Sequence, residues 1–136
     1  MSTGSCLCGN VKYRFDGEPG AAVVCHCLTC QKFTGTAFTT NIPVPKSNFK
    51  VFSGTPKTFN AKHHEVDMTL TIHFCSECGT VVYKEADGDA FKDVVLVQAG
   101  TMTDGIDVQV PQAELWLKNK AKWLPTVEGT SQLQGF

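Results

Sequence analysis

The chain has 136 residues and a formal net charge of −1 at pH 7, with 42% hydrophobic and 18% charged residues. This length suits one domain with one core, and the composition excludes both a disordered chain and a membrane-embedded protein. The 12 Lys and Arg residues are scattered, so the charge pattern excludes an extended face for binding nucleic acid. The beginning, MSTGSCLCGN, lacks the basic and apolar regions of a signal peptide, and we therefore expect a cytoplasmic protein that acts on small molecules.

Alternating apolar and polar residues predict strands along much of the chain. The clearest run is 66–74, in which every second residue from Val66 to Phe74 is apolar before the chain reaches Cys75. A short continuous apolar run, VVLVQA, predicts a strand that is covered on both faces. The predicted strands are 10–15, 49–52, 66–74, 80–83 and 94–99.

Helical periodicity is weak throughout the chain. The best helix candidate is 111–124, which begins at Pro111 and stops before Pro125, although its apolar residues fit a strand equally well. We therefore predict a mostly β fold, with a single domain over residues 1–124. The polar segment 125–136 is predicted to be a C-terminal tail that either lies on the surface or frays.

The seven cysteines carry the strongest functional signal. Cytosolic thiols are kept reduced, and clustered cysteines in that compartment bind metal more often than they form disulfides. Zinc takes four cysteine ligands in a closed structural site, whereas catalytic zinc has three protein ligands and one position for water or substrate. The seven occur as C-x-C at Cys6 and Cys8, C-H-C-x-x-C at Cys25, Cys27 and Cys30, and C-x-x-C at Cys75 and Cys78.

Seven cysteines divide naturally into a set of four and a set of three. The middle three lie close together in sequence, so a single bend of the chain can turn their sulfurs toward one ion. The first and last pairs are each two ligands short of a closed site, and joining them links the N-terminal strand to the end of strand 66–74. Such a structural site would contribute on the order of 10 kcal/mol to folding.

Two interpretations of the three-cysteine set remain open. In one, a histidine closes the site: His26 lies inside the motif but is poorly aimed, His73 shares a strand face with Cys75, and His63 and His64 lie in a polar loop. In the other, the fourth position is vacant and takes up an incoming thiol, whose pKa falls until the thiolate can attack a carbonyl. Run in reverse, the same site would hold the thiolate that leaves when a carbon–sulfur bond breaks.

Six segments accompany the cysteine motifs and cover nearly the whole chain: GSCLCGNVKY, CHCLTCQKFTG, FSGTPKTF, FCSECGTVVY, VQAGTMTD and ELWLKNKAKWL. In this order they resemble the glutathione-dependent formaldehyde-activating enzyme family, which also includes the centromere protein V domain. The resemblance implies a β-tent fold of small antiparallel sheets and the addition of glutathione to formaldehyde, which is classed as a carbon–sulfur lyase reaction. It also implies two zinc ions per chain, a structural one on Cys6, Cys8, Cys75 and Cys78 and a catalytic one on Cys25, Cys27 and Cys30.

A few residues outside the cysteine motifs are further candidates. Gln31, Lys32 and Thr34 directly follow the three-cysteine motif and are predicted to contact the substrate, with Lys32 offering a cation to a carboxylate. Glu114 stands where many members of the family have a histidine, just before the late tryptophan motif. Trp116 is predicted to pack in the core.

Two classes of function are consistent with these motifs. The first is a zinc-dependent enzyme in which glutathione or another thiol adds to formaldehyde or a related aldehyde, or in which such an adduct is cleaved. The alternative is a zinc-stabilised binding or structural module without catalysis, or a zinc-dependent isomerase or dehydratase acting on another metabolite. The motifs leave the thiol, the electrophile and the oligomeric state open.

Overall fold

A computed structural model describes residues 1–136, apart from the side chain of residue 108. The predicted mostly β class is confirmed. The described chain contains the α-helix α1 (Leu28–Thr34) and short 3₁₀ helices at Lys46–Asn48, Ala99–Thr101, Ile106–Val108 and Leu117–Asn119. The strands are β1 (Ser2–Ser5), β2 (Lys12–Phe15), β3 (Val23–Cys25), β4 (Thr39–Pro45), β5 (Phe49–Ser53), β6 (Lys57–Lys62), β7 (Thr69–Phe74), β8 (Val81–Ala86), β9 (Val94–Gln98), β10 (Ala113–Leu115) and β11 (Ser131–Gln132).

The strands form two sheets. A small antiparallel sheet has the order β1-β2-β5. The larger sheet has the order β11-β10-β3-β4-β9-β8-β7-β6, and its pairings are antiparallel except at one edge, where β10 runs parallel to β3 and to β11. Parallel pairing needs a long connection between the two strands, which the chain supplies because β3 and β10 lie far apart in sequence.

All five predicted strands are present, with different ends. β7 begins at Thr69 and not at residue 66, because Val66 and Met68 belong to a turn in which the Met68 N–H donates to the Val66 carbonyl at 2.9 Å. β8 continues beyond the predicted 80–83 as far as Ala86. This extension adds Lys84, Glu85 and Ala86 to the strand, and Lys84 and Ala86 line the cavity described below.

The segment 111–124, for which helix and strand fitted the pattern equally well, contains no α-helix. Its first part forms β10, because pairing with β3 holds it extended: the His26 N–H donates to the Leu115 carbonyl at 3.0 Å. Tertiary pairing therefore overrides a weak helical periodicity. The helix that does form, α1, follows Cys27 directly, and Gly35 ends it in the left-handed conformation at φ 68°.

The main core joins the two sheets, since one buried cluster draws apolar side chains from both. Alternate residues of β2 face this cluster, which places Tyr13 and Phe15 fully inside. A second buried cluster is smaller and contains Cys25, Cys27, Cys30 and Trp116. The three-cysteine set is therefore part of the protein interior, at the edge where the parallel strands join.

The C-terminal segment 125–136 lies along the domain. β11 pairs with β10, and the N–H groups of Trp116 and Leu117 donate to the carbonyls of Gly135 and Leu133 at 3.1 and 3.0 Å. Phe136 packs edge-on against Trp116, with the ring centroids 5.3 Å apart. Backbone hydrogen bonds and the Phe136 ring therefore hold this segment against the domain.

Candidate functional site

Four cysteines from distant parts of the chain meet at one end of the core. Cys6 and Cys8 lie in the turn between β1 and β2, and Cys75 and Cys78 lie in the turn after β7. Their four sulfurs lie within 4.8 Å of one another, with Cys8 Sγ 3.6 Å from Cys6 Sγ and 3.7 Å from Cys75 Sγ. Zinc–sulfur bonds of about 2.3 Å place tetrahedral sulfurs about 3.8 Å apart, so this cluster fits a zinc ion.

The turns that carry these cysteines are shaped for thiolate ligands. Each ends in a glycine with positive φ, Gly9 at 80° and Gly79 at 77°, a conformation that residues with a Cβ rarely adopt. The Val11 N–H donates to Cys6 Sγ at 3.2 Å. Hydrogen bonds from Thr80 lower the pKa of Cys78 to about 5. Donors of this kind stabilise the charged sulfur that a metal ion requires.

The other three cysteines are brought together by the junction of β3 and α1. Cys25 ends β3, Cys27 caps the start of α1, and Cys30 lies in the first turn of that helix. The Cys30 N–H donates to Cys27 Sγ at 3.2 Å, which holds the two side chains on the same side. All three sulfurs lie within 4.8 Å of one another, and none of the three residues is more than 3% exposed.

The three sulfurs share hydrogen bonds and compete for protons, as the ligands of one cation would. The pKa of Cys25 lies far above its ordinary value, because Cys27 and Cys30 compete with it for protons and because it is buried. The pKa of Cys30 falls to about 2, because Cys25 and Cys27 donate hydrogen bonds to its sulfur. With only protons present, one sulfur carries the negative charge. All three can be thiolates together only when a multivalent cation balances them.

The three-cysteine set faces a cavity of about 230 Å³ that lies between the larger sheet and the C-terminal residue. Most of the lining is apolar, and its larger side chains include Pro43, Met68, Leu70, Phe91 and Leu96. Three polar side chains join the cysteines in the wall, namely Asn41, His63 and Lys84. The arrangement is typical of a small-molecule site, in which an apolar pocket holds a few convergent polar groups.

Lys84 is a site residue that the sequence did not indicate. It lies on β8 and is only 3% exposed, with Nζ 3.5 Å from Cys30 Sγ and 4.9 Å from the centre of the Phe33 ring. No carboxylate among the described side chains lies within ion-pair distance of it. Its charge is therefore directed at the cysteine cluster and the cavity. The sequence does contain one indication of this position. Lys84 alternates with the apolar residues Val82 and Ala86, and residues two apart in a strand lie on the same face.

His63 contributes a hydrogen-bond donor to the same cavity. Its Nδ1 accepts from the N–H groups of Glu65 and Val66, both at 3.2 Å, so the ring proton resides on Nε2. Nε2 is buried and has no partner among the described residues. Burial and the neighbouring His64 lower the pKa of His63, which keeps the ring neutral. One ring nitrogen each of His63 and His64 and Cys27 Sγ lie within 4.8 Å of one another.

The other two histidines contact carboxylates away from the sulfurs. The expectation that His73 points toward a metal is wrong, because its Nε2 contacts Glu85 Oε2 at 2.7 Å and its ring stacks on Tyr83. His26 directs its Nε2 at Glu114 Oε1, 2.8 Å away, as its poor aim toward the cysteines suggested. Glu114 is 1% exposed and also accepts from Lys120, Gln132 and the Val127 N–H, so its role is structural.

The three residues predicted to contact substrate lie outside the cavity wall. Gln31 Nε2 donates to the carbonyls of His26 and Asn119 at 2.9 and 3.0 Å, and Thr34 Oγ1 donates to the Cys30 carbonyl at 2.7 Å. Lys32 lines a separate surface groove beside His64 and Phe59. Backbone carbonyls therefore occupy the side-chain donors of Gln31 and Thr34, and Lys32 lies on an exposed part of α1.

Fold and site together define a cysteine-rich β domain with two candidate metal centres, one closed by four sulfurs and one with three sulfurs at a cavity. The chain belongs to the glutathione-dependent formaldehyde-activating enzyme family, whose sequence profile matches residues 1–119. A crystal structure of a Rhodobacter sphaeroides protein has a similar fold, with a TM-score of 0.58 and 14% sequence identity over 96% of this chain and 98% of that one. No curated protein matches the sequence. None of the described helices is both long and apolar enough to cross a membrane.

Proposed function

We propose that the protein is a zinc-dependent enzyme of the carbon–sulfur lyase type. It adds glutathione or a similar thiol to formaldehyde or a related aldehyde, or cleaves such an adduct. The observation that carries the proposal is the three-cysteine cluster, because three buried sulfurs face a cavity large enough for a substrate. A cluster with a purely structural role has no need of that space.

The donor sets support two zinc ions per chain with different roles. Cys6, Cys8, Cys75 and Cys78 would hold a structural ion. Cys25, Cys27 and Cys30 would hold a catalytic ion, which when bound supplies a positive charge that lowers the pKa of a thiol. His63 is poorly suited to close this second site, because the lone pair of Nδ1 is already engaged and Nε2 carries the proton.

The reaction needs few groups beyond the bound thiol. The sulfur forms a bond to the carbonyl carbon, the π electrons of the C=O bond move to oxygen, and the oxygen gains the proton that the thiol lost. The apolar wall of the cavity keeps bulk water from competing with the thiol. The same steps in reverse order release the aldehyde and the thiol. Gln31, Lys32 and Thr34 remain predicted contacts to the thiol substrate, and the surface groove beside Lys32 supports that assignment for Lys32.

The proposed location is the cytoplasm, where glutathione is abundant and thiols stay reduced. All seven cysteines are free thiols gathered in the two clusters, which is the form that a reducing compartment maintains. Small molecules are the proposed partners.

An isomerase or dehydratase acting on another metabolite is a second candidate, and the apolar cavity favours it, since formaldehyde makes little use of apolar space. A zinc-stabilised module without catalysis is the third. It accounts for the four-cysteine cluster but leaves the cavity beside the other sulfurs without a purpose.

Exchange NMR of mixed formaldehyde and glutathione tests the proposal directly. Zinc-loaded protein should accelerate the exchange between free formaldehyde and its glutathione adduct at least tenfold. The Cys27→Ser variant should lose the acceleration, and the surface variant Lys57→Met should keep it. The exchange could instead run at the uncatalysed rate, with glutathione neither binding to nor perturbing the metal centre of Cys25, Cys27 and Cys30. That result would reject the enzyme proposal in favour of a zinc-stabilised module without catalysis.

A further inference from the structure

Two hydrogen-bond donors face the cavity with unused N–H groups. His63 Nε2–H is buried and unpartnered among the described residues, and Lys84 Nζ, which carries three N–H bonds, has one sulfur acceptor, Cys30 Sγ at 3.5 Å. Buried donors without acceptors are unfavourable and rare in folded proteins. Since both side chains line the same cavity, a ligand oxygen placed between them would satisfy both.

The remaining wall is suited to carbon, not to a second polar group. Both polar atoms of Asn41 already have a partner, because its Nδ2 donates to Thr39 Oγ1 at 3.1 Å and its Oδ1 accepts from Gln98 at 3.0 Å. The side chains of Met68, Leu70 and Leu96 form the apolar part. One water molecule needs only about 10–15 Å³ of such space, so formaldehyde, with two heavy atoms, fills a small part of the 230 Å³.

We propose that the cavity binds an aldehyde with an apolar body of several carbons, whose carbonyl oxygen accepts hydrogen bonds from His63 Nε2–H and Lys84 Nζ. This proposal rests on the proposed function and specifies its electrophile. The oxygen lies between the two donors, and the carbon chain lies against Met68, Leu70 and Leu96. The three sulfurs in the same wall place the thiol beside the carbonyl carbon.

The two donors act on the charge that forms during addition. As the carbon–sulfur bond forms, the π electrons of the carbonyl move to the oxygen, and the negative charge develops between the ammonium group and the imidazole N–H. The oxygen then gains one proton, equal to the one lost by the thiol, so that thiol and aldehyde give a hemithioacetal and nothing else. His63 stays neutral throughout and acts as a donor only.

Unreactive amides test the binding mode without any thiol. The probes are acetamide, butanamide and hexanamide, whose carbonyl oxygen accepts hydrogen bonds as an aldehyde does, titrated into zinc-loaded protein and followed by NMR shifts of the His63 ring. Each added methylene should tighten binding by roughly three- to fourfold, as burial of a methylene predicts. Affinity that is flat along the series would overturn the apolar part of the proposal.

Variants test the two donors separately. Lys84→Met and His63→Leu should each weaken hexanamide binding at least tenfold, whereas His63→Gln, which keeps a donor near the position of Nε2, should recover part of the loss. Lys57 is an exposed lysine on β6, and Lys57→Met is the matched control. This variant should bind hexanamide as the wild type does. Zinc content and the melting curve confirm that each variant is folded and loaded. Unchanged affinity in Lys84→Met and His63→Leu would overturn the assignment of the donors.

The outcome for this proposal is separable from that for the proposed function. With glutathione present, kcat/KM for hexanal should exceed that for formaldehyde by more than tenfold. Accelerated exchange with formaldehyde combined with no amide binding would reject the cavity assignment and keep the thiol chemistry. Amide binding with the expected chain-length dependence but no acceleration with either aldehyde would keep the cavity assignment and reject the thiol chemistry.

Discussion

His26 and Glu114 are joined by a buried contact of 2.8 Å between Nε2 and Oε1, although 88 positions separate them in the sequence. His26 lies between two cysteines of the three-cysteine set, and Glu114 lies on β10, which pairs with β3. Glu114 also accepts from the Val127 N–H and from Gln132 in the C-terminal segment. One carboxylate therefore connects the cysteine loop, the edge of the sheet and the tail.

Replacing Glu114 by Gln should lower the free energy of unfolding by about 3 kcal/mol, because the change leaves several buried donors without a charged acceptor. Denaturant unfolding at pH 7 measures the loss. Glu65→Gln is the matched control: Glu65 pairs with Lys118 on the surface, where solvent screens the charges, so its loss should change the free energy of unfolding far less than Glu114→Gln does. Equal effects of the two substitutions would contradict the structural role assigned to Glu114.

The same residue predicts a pH dependence. Burial raises the pKa of Glu114, but hydrogen bonds from Gln132, His26, Lys120 and Val127 outweigh it and lower the pKa from 4.5 to about 2. Because the folded pKa is depressed, the stabilisation is complete above pH 4.5 and is lost as the pH falls toward 2.

The difference in unfolding free energy between wild type and Glu114→Gln should therefore shrink over that range. Acid also releases metal from cysteines, so the comparison is confined to the pH range in which zinc analysis shows both proteins loaded and folded. A difference that stays constant from pH 5 to the lower end of that range would show that Glu114 titrates normally in the folded protein.

The two sets of cysteines could be predicted because ligand spacing is local information. C-x-C and C-x-x-C place two sulfurs near each other whatever the rest of the fold does, and the count of seven divides into four and three. The structure brings together the same groups. The mostly β class could be predicted for a similar reason, since alternation along a strand reflects which face is buried.

The cavity donors could not be predicted, because their positions depend on pairings between distant segments. Lys84 faces the sulfurs of β3 and α1 only because β8 pairs with β9, and β9 with β4. His63 presents Nε2 only because a turn supplies two N–H groups to Nδ1. Gln31 and Thr34 were favoured by their nearness in sequence to Cys30, but their side chains donate to the backbone carbonyls of His26, Asn119 and Cys30, which the spacing does not indicate.

The two cysteine clusters should respond differently to substitution. Cys27→Ser should release about one zinc ion per chain and abolish activity, with a melting temperature close to that of the wild type. Cys75→Ser should unfold the protein, because Cys75 is fully buried and its cluster joins the turn after β1 to the turn after β7. Zinc analysis and circular dichroism melting of both variants check this division of roles, and equal loss of structure in the two would refute it.

Stepwise removal of metal gives an independent check on the same division. Three cysteine ligands hold an ion less tightly than four, and a vacant position lets a chelator approach. A chelator added gradually to fully loaded protein should therefore remove the metal at Cys25, Cys27 and Cys30 first. Native mass spectrometry should show a one-zinc form that keeps its circular dichroism spectrum but has no activity. Folding lost in step with the first ion removed would mean that both centres are structural, because the first metal would then be holding the fold together.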